Sequence, residues 1–110
     1  MPSSHATSGV SGADFVLYVT MRPTQGNTIA WASGCREDQY NRPIAGQANF
    51  GPNAMSVSSA DLSSMVATAV HEISHALGFS SSKFSEFRDA SGTVRTNVIA
   101  RISQVGHHVL

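Results

Sequence analysis

Residues 62 to 78 leave the chain little choice but a helix. The apolar residues there are Leu62, Met65, Val66, Ala69, Val70, Ile73, Ala76 and Leu77, recurring at intervals of three and four. Just upstream, Ser58, Ser59, Ala60 and Asp61 supply N-cap candidates, and Asp61 puts an acidic group where the helix dipole favours one. Gly78 stands where a C-terminal glycine ends a helix, so a helix is expected over about 59–79. At 100° per residue, Ile73 lies about 200° around the axis from His71. The apolar stripe and the His71/His75 face therefore point apart, one towards a core and the other towards a cleft.

That second face carries H-E-I-S-H, residues 71–75. Positions i and i+4 of a helix stack one turn apart on one side, so two imidazoles can reach one ion. Glu72, beside the first of them, can address a metal-activated water without being a ligand. This is the arrangement of zinc peptidases and points to metal-assisted peptide hydrolysis. His71 and His75 are the expected Zn2+ ligands. Glu72 is the expected general base, taking the water's proton and passing it to the leaving amine. The bland alternative makes all three exposed polar residues of a surface helix.

Catalytic zinc generally has three protein ligands and a water. In the compact form H-E-x-x-H-x-x-G-x-x-H the third would fall at Ser81, which is no zinc ligand. Glu86, Asp89, His107 and His108 are the downstream candidates, and His5 an upstream one. None has distinctive flanking sequence, and each reads first as an exposed polar side chain.

Elsewhere the apolar pattern is that of strands. Residues 13–21 form a β-branched and aromatic run, stopped at Pro23, whose near-continuous apolarity predicts a central strand covered on both faces. A second strand is expected over 28–33, closed by Gly34, and a weaker third over 44–50, with Gly46 inside it. Residues 36–43 read as an exposed loop, 84–87 as a short helical turn, 89–92 as a turn, and 96–105 as a short helix or irregular segment. The Ser/Gly-rich residues 1–12 read as a disordered lead-in.

A chain of 110 residues makes one small domain. Seven basic residues against seven acidic ones give no surface for nucleic acid and no polybasic membrane patch. No segment is long and apolar enough to span a bilayer, and the N-terminal residues lack the basic and apolar regions of a secretory signal. Cys35 is the only cysteine, so no internal disulfide forms, and its ordinary reading is a small buried thiol.

The segment H-E-I-S-H-A-L-G-F-S at 71–80 resembles the active-site motif of the leishmanolysin family of metzincin peptidases. The runs A-D-F-V-L-Y-V-T at 13–20, A-W-A-S-G-C at 30–35 and R-P-I-A-G-Q-A-N-F at 42–50 are similar to that family too. The resemblance implies an α+β, metzincin-like zincin, a twisted mixed β-sheet packed on an active-site helix. Residues 13–110 would be part of its catalytic domain. Residues 28–33 would be the antiparallel edge strand lining the cleft, where a protein or peptide substrate adds as a further strand. His71 and His75 carry over as zinc ligands, Glu72 as base, and Gly78 as the turn leading towards the third ligand.

In the family that third ligand follows a long insertion, which places it beyond the end of this chain. No methionine follows Met65, so the family's methionine turn is absent, and Cys35 matches a cysteine whose disulfide partner is not here. The resemblance thus implies a fragment of a longer peptidase that is extracellular or membrane-associated, with links to cell adhesion. Its rivals are a truncated relative that binds peptide or zinc without hydrolysis, and another zincin branch using Glu86 or Asp89. A helix face left uncovered in such a fragment predicts marginal stability for the isolated chain.

Overall fold

The computed structural model describes residues 1–55 and 58–99. In chain order its elements are α1 (Ser3–Ser8), β1 (Val16–Met21), β2 (Ala30–Glu37), β3 (Pro43–Phe50) and α2 (Leu62–Ala76). Short 3-10 turns cover Pro52–Ala54, Ser59–Asp61 and Phe84–Glu86. The strands form one mixed sheet in the order β1-β3-β2, with β1 parallel and β2 antiparallel to β3. α2 packs across β2 and β3.

The central strand is β3, not the apolar run at 13–21. That run supplies β1, an edge strand beginning only at Val16, with Val19 and Met21 exposed. The reason lies in side-chain size. A Cβ added to Gly46 would sit 2.9 Å from Phe15 Cζ, 3.0 Å from Ala76 Cβ and 3.1 Å from the Ser33 carbonyl oxygen. Ala48, two residues along the same face, and Ala76 on the helix are both 0% exposed. Small residues let the helix backbone close on the middle strand, so the glycine that weakens β3 as a strand former marks the site of tightest packing.

β2 is the antiparallel edge strand, as expected, but it runs past Gly34 to Glu37. Register shifts on both sides of Arg36 mark a bulge around Cys35, which absorbs the glycine and the extra residue without ending the strand. Residues 36 and 37, read from sequence as loop, therefore belong to the sheet. Cys35 is exposed, which corrects its reading as a buried thiol.

The turn into β3 is tied by Asp38. Its Oδ1 accepts from the Tyr40 N–H at 2.8 Å and the Arg42 N–H at 3.0 Å, while Asn41 takes φ 64°. At the other end of β3, Asn49 is buried and satisfied. Its Oδ1 accepts from Thr20 Oγ1 at 2.8 Å and the Arg22 N–H at 3.0 Å, and its Nδ2 donates to the Arg22 carbonyl at 3.1 Å. This clamp holds the chain leaving β1 against the middle strand.

Residues 1–12, without periodicity in sequence, contain the short helix α1, whose His5 Nδ1 lies 2.9 Å from the Tyr18 hydroxyl on β1. The expected helical turn at 84–87 is the 3-10 turn Phe84–Glu86. Residues 96–99 are not helical, and the rest of the segment 96–105 lies outside the described residues.

Candidate metal centre

α2 begins as the 3-10 turn Ser59–Asp61, where Ser58 Oγ accepts from the Ala60 N–H, and continues unbroken through the H-E-I-S-H segment. The helical phase is close to that expected from sequence. Ala76 is buried against Gly46 of β3, Ile73 is half-buried, and His71 is exposed.

The two imidazoles converge. Their ring centroids are 4.7 Å apart with planes at 90°, and His71 Nε2 lies 3.1 Å from His75 Nε2. An ion held tetrahedrally by two nitrogens at about 2.0–2.1 Å would separate them by roughly 3.3 Å. The observed spacing is that of an Nε2–H···Nε2 hydrogen bond from His71 to His75, and it lies within a few tenths of an ångström of the tetrahedral separation. His75 Nδ1 lies 2.8 Å from the Phe79 carbonyl oxygen. A carbonyl only accepts, so Nδ1 carries the proton and Nε2 presents its lone pair, the form a metal needs.

The chain returns to His75 through a Schellman end. Gly78 takes φ 103°, its N–H donates to the His75 carbonyl at 3.1 Å, and the Phe79 N–H donates to the Ser74 carbonyl at 3.0 Å. A side chain at Gly78 would be strained by that φ, and its Cβ would lie 3.3 Å from Pro43 Cγ. Glu72 is half-buried on the flank of the histidine face and makes no hydrogen bond or ion pair among the described residues.

A groove of about 660 Å³ runs beside His75, walled by residues 32–37 of β2 on one side and by Gly78, Ser80, Ser82 and Lys83 on the other. Lys83 bridges its far end. The ammonium pairs with Glu37 of β2 and, at 3.0 Å, with Glu86 Oε2. The hydrogen bond to Glu37 first, and that to Glu86 second, hold the Lys83 pKa above its ordinary value. Arg88 ties the outer loops, donating to the carbonyls of Tyr40 and Gly92 at 2.9 Å each and to Asn41 Oδ1 at 3.0 Å.

The other sequence candidates are not gathered here. Glu86 is engaged by Lys83. Asp89 closes its own turn, accepting from the Ser91 N–H at 2.8 Å, Ser91 Oγ at 2.6 Å and the Thr93 N–H at 3.0 Å. His5 sits against β1 through Tyr18. Among the described residues no three potential ligands cluster, and His107 and His108 lie outside them. Sequence reasoning missed the Phe79 carbonyl and the Lys83 bridge. A glycine at the C′ position was the available signal for the first, since a Schellman turn folds the next residue back over the last turn.

The chain matches the leishmanolysin peptidase family over residues 1–102. It is 45% identical over 93 residues to a leishmanolysin-like peptidase of Drosophila melanogaster, covering 80% of this chain and 14% of that protein. A leishmanolysin-like peptidase of Caenorhabditis elegans is 41% identical over the same length, with the same coverage of each. Leishmanolysin of Leishmania donovani is 35% identical over 107 residues, 97% of this chain and 16% of that protein. The chain thus spans about one seventh of the curated relatives it matches.

Proposed function

The chain belongs to the leishmanolysin family of metallopeptidases, and from that premise we propose that it supplies the His71/Glu72/His75 portion of a zinc metalloendopeptidase site. The mixed sheet over α2 is then part of a metzincin-type catalytic domain, with β2 as the strand beside which a peptide lies. The observation that carries this reading is the approach of the two Nε2 atoms to 3.1 Å beside the groove under β2.

When bound, zinc supplies Lewis acidity to water and to the scissile carbonyl. The protein's own groups do the rest. His71 and His75 hold the ion, the latter oriented by the Phe79 carbonyl. Glu72, with no competing ion pair among the described residues, accepts a proton from water and delivers it to the departing amine. The outer edge of β2 offers main-chain N–H and C=O groups to an extended substrate. The third ligand lies outside the described residues. Following the same premise, the assembled peptidase works outside the cell or at a membrane surface. No helix among the described residues is long and apolar enough to cross a membrane.

A second reading is favoured by the absence of a third ligand among the described residues. In it the chain binds zinc or peptide and hydrolyses nothing. Zinc stoichiometry and turnover on the same preparation separate the two. Either His71→Ala or His75→Ala should weaken zinc binding by more than the roughly 10–100-fold that loss of an outer-sphere partner costs. Glu72→Ala should retain zinc and lose about 10²–10⁴-fold in peptide hydrolysis. Hydrolysis that survives Glu72→Ala would sink the mechanism, whereas zinc occupancy without turnover in the unmodified chain selects the second reading.

A further inference from the structure

Neutral imidazole in water prefers its proton on Nε2, the wrong nitrogen for a ligand that binds through Nε2. The 2.8 Å contact between His75 Nδ1 and the Phe79 carbonyl reverses that preference. We propose that Phe79 is a positioning residue, whose main-chain carbonyl fixes the Nδ1–H tautomer and ring orientation of His75 before any metal arrives. The inference rests on the zinc reading above for its purpose, but its geometry stands on this chain alone.

Two independent features hold that carbonyl in place. The Schellman turn at Gly78 anchors the Phe79 N–H on Ser74 and so turns the following C=O back over the last helical turn. The Phe79 ring, itself exposed, meets Phe87 edge-on at a centroid distance of 6.2 Å, and Phe87 meets Phe84 at 5.5 Å. Such edge-to-face pairs are favourable beyond the area they bury. An aromatic row on a surface loop, one of its members largely in water, is thereby explained as a brace for a main-chain oxygen.

The 110-residue chain, labelled with ¹⁵N, tests this at a pH well above the ordinary imidazole range. Long-range ¹H–¹⁵N spectra of the metal-free protein should show His75 protonated at Nδ1. Gly78→Val, which a β-branched residue at that φ cannot accommodate, should move the proton to Nε2. It should also weaken binding of Zn2+, added as the metal alone, by about 10–100-fold.

Because that change can also fray the helix, Phe87→Ala is the second variant. It removes the ring contacts while leaving the Gly78 turn unaltered, should give mixed tautomers with helical circular dichroism intact, and should be rescued by Phe87→Tyr, which keeps a ring at that position. An Nε2–H tautomer in the unmodified chain overturns the proposal. So does an Nδ1–H tautomer that persists in both variants, or a flipped tautomer that leaves zinc affinity unchanged. If the unmodified chain binds no zinc, the metal reading fails, and the tautomer spectra still decide the hydrogen bond.

Discussion

Asp38 and Asp89 do the same job at two turns, each folding a carboxylate back on main-chain N–H groups. Hydrogen bonds from Arg42 and then Tyr40 hold Asp38 below its ordinary value of 3.8. The Ser91 side chain and then the Thr93 N–H do likewise for Asp89. In the unfolded chain both groups take up protons at a higher pH than in the folded one. Their contribution to stability is therefore complete above 3.8 and is lost as pH falls through the depressed folded values. Amide shifts of Tyr40, Arg42, Ser91 and Thr93 should titrate together with midpoints below 3.8, and midpoints at or above it would refute the assignment. Lys83 has the opposite sign, its contribution holding below its ordinary value of 10.5 and fading as pH rises beyond it. At this scale the convergence of His71 and His75 on one helix face was legible, because a spacing of four residues is that of a helix. The Phe79 carbonyl was not, since every residue has one and only the turn geometry singles this one out.

The three strands and the long helix were legible in kind, but α1 was not, and neither was the order of the strands in the sheet. Apolarity ranked the strand at 13–21 first and the glycine-bearing strand at 44–50 last, whereas β3 lies between the other two. Periodicity reports which residues avoid water, not how closely a helix must approach. Gly46 is where that approach is closest, with Phe15, Ala76 and the Ser33 main chain all within 3.1 Å of a would-be Cβ. Gly46→Val should therefore cost roughly 1–3 kcal/mol as an overpacked site, readable by urea unfolding. It should also push the last turn of α2 off the sheet, visible as shifts at His75 and Ala76. A stability within experimental error of the unmodified chain would contradict close packing of the helix on β3. The same reasoning explains β2, whose extension past Gly34 depends on a bulge that no single-residue preference announces.

For the molecule as a whole, the interior is small. Among the described residues the buried apolar side chains are Ala30, Ala48 and Ala76. Meanwhile Leu62, Val66, Val70 and Leu77 on and just beyond α2 are about half exposed. Helical spacing put all of these in one stripe, because amphipathicity distinguishes apolar from polar positions but not covered from uncovered ones. The stripe splits into a half beside the sheet, with Met65, Ala69 and Ala76, and a half against solvent. Three buried alanines and a half-covered helix give little hydrophobic stabilisation. The isolated chain should bind an apolar dye such as ANS in its native state and melt in a broad, low-temperature transition. A sharp transition at high temperature with no dye binding would contradict this.

The two margins of the sheet differ in a way that bears on handling rather than catalysis. β2 is kinked by its bulge near Cys35, which confines pairing along its outer edge to the regular stretch from Ala30 to Gly34. β1 has no kink, no proline and no charge in its six residues, and it shows Val19 and Met21 to water. In a concentrated sample it is therefore β1 that would recruit further copies and seed fibrils, and a lysine at position 19 is the change that would blunt it.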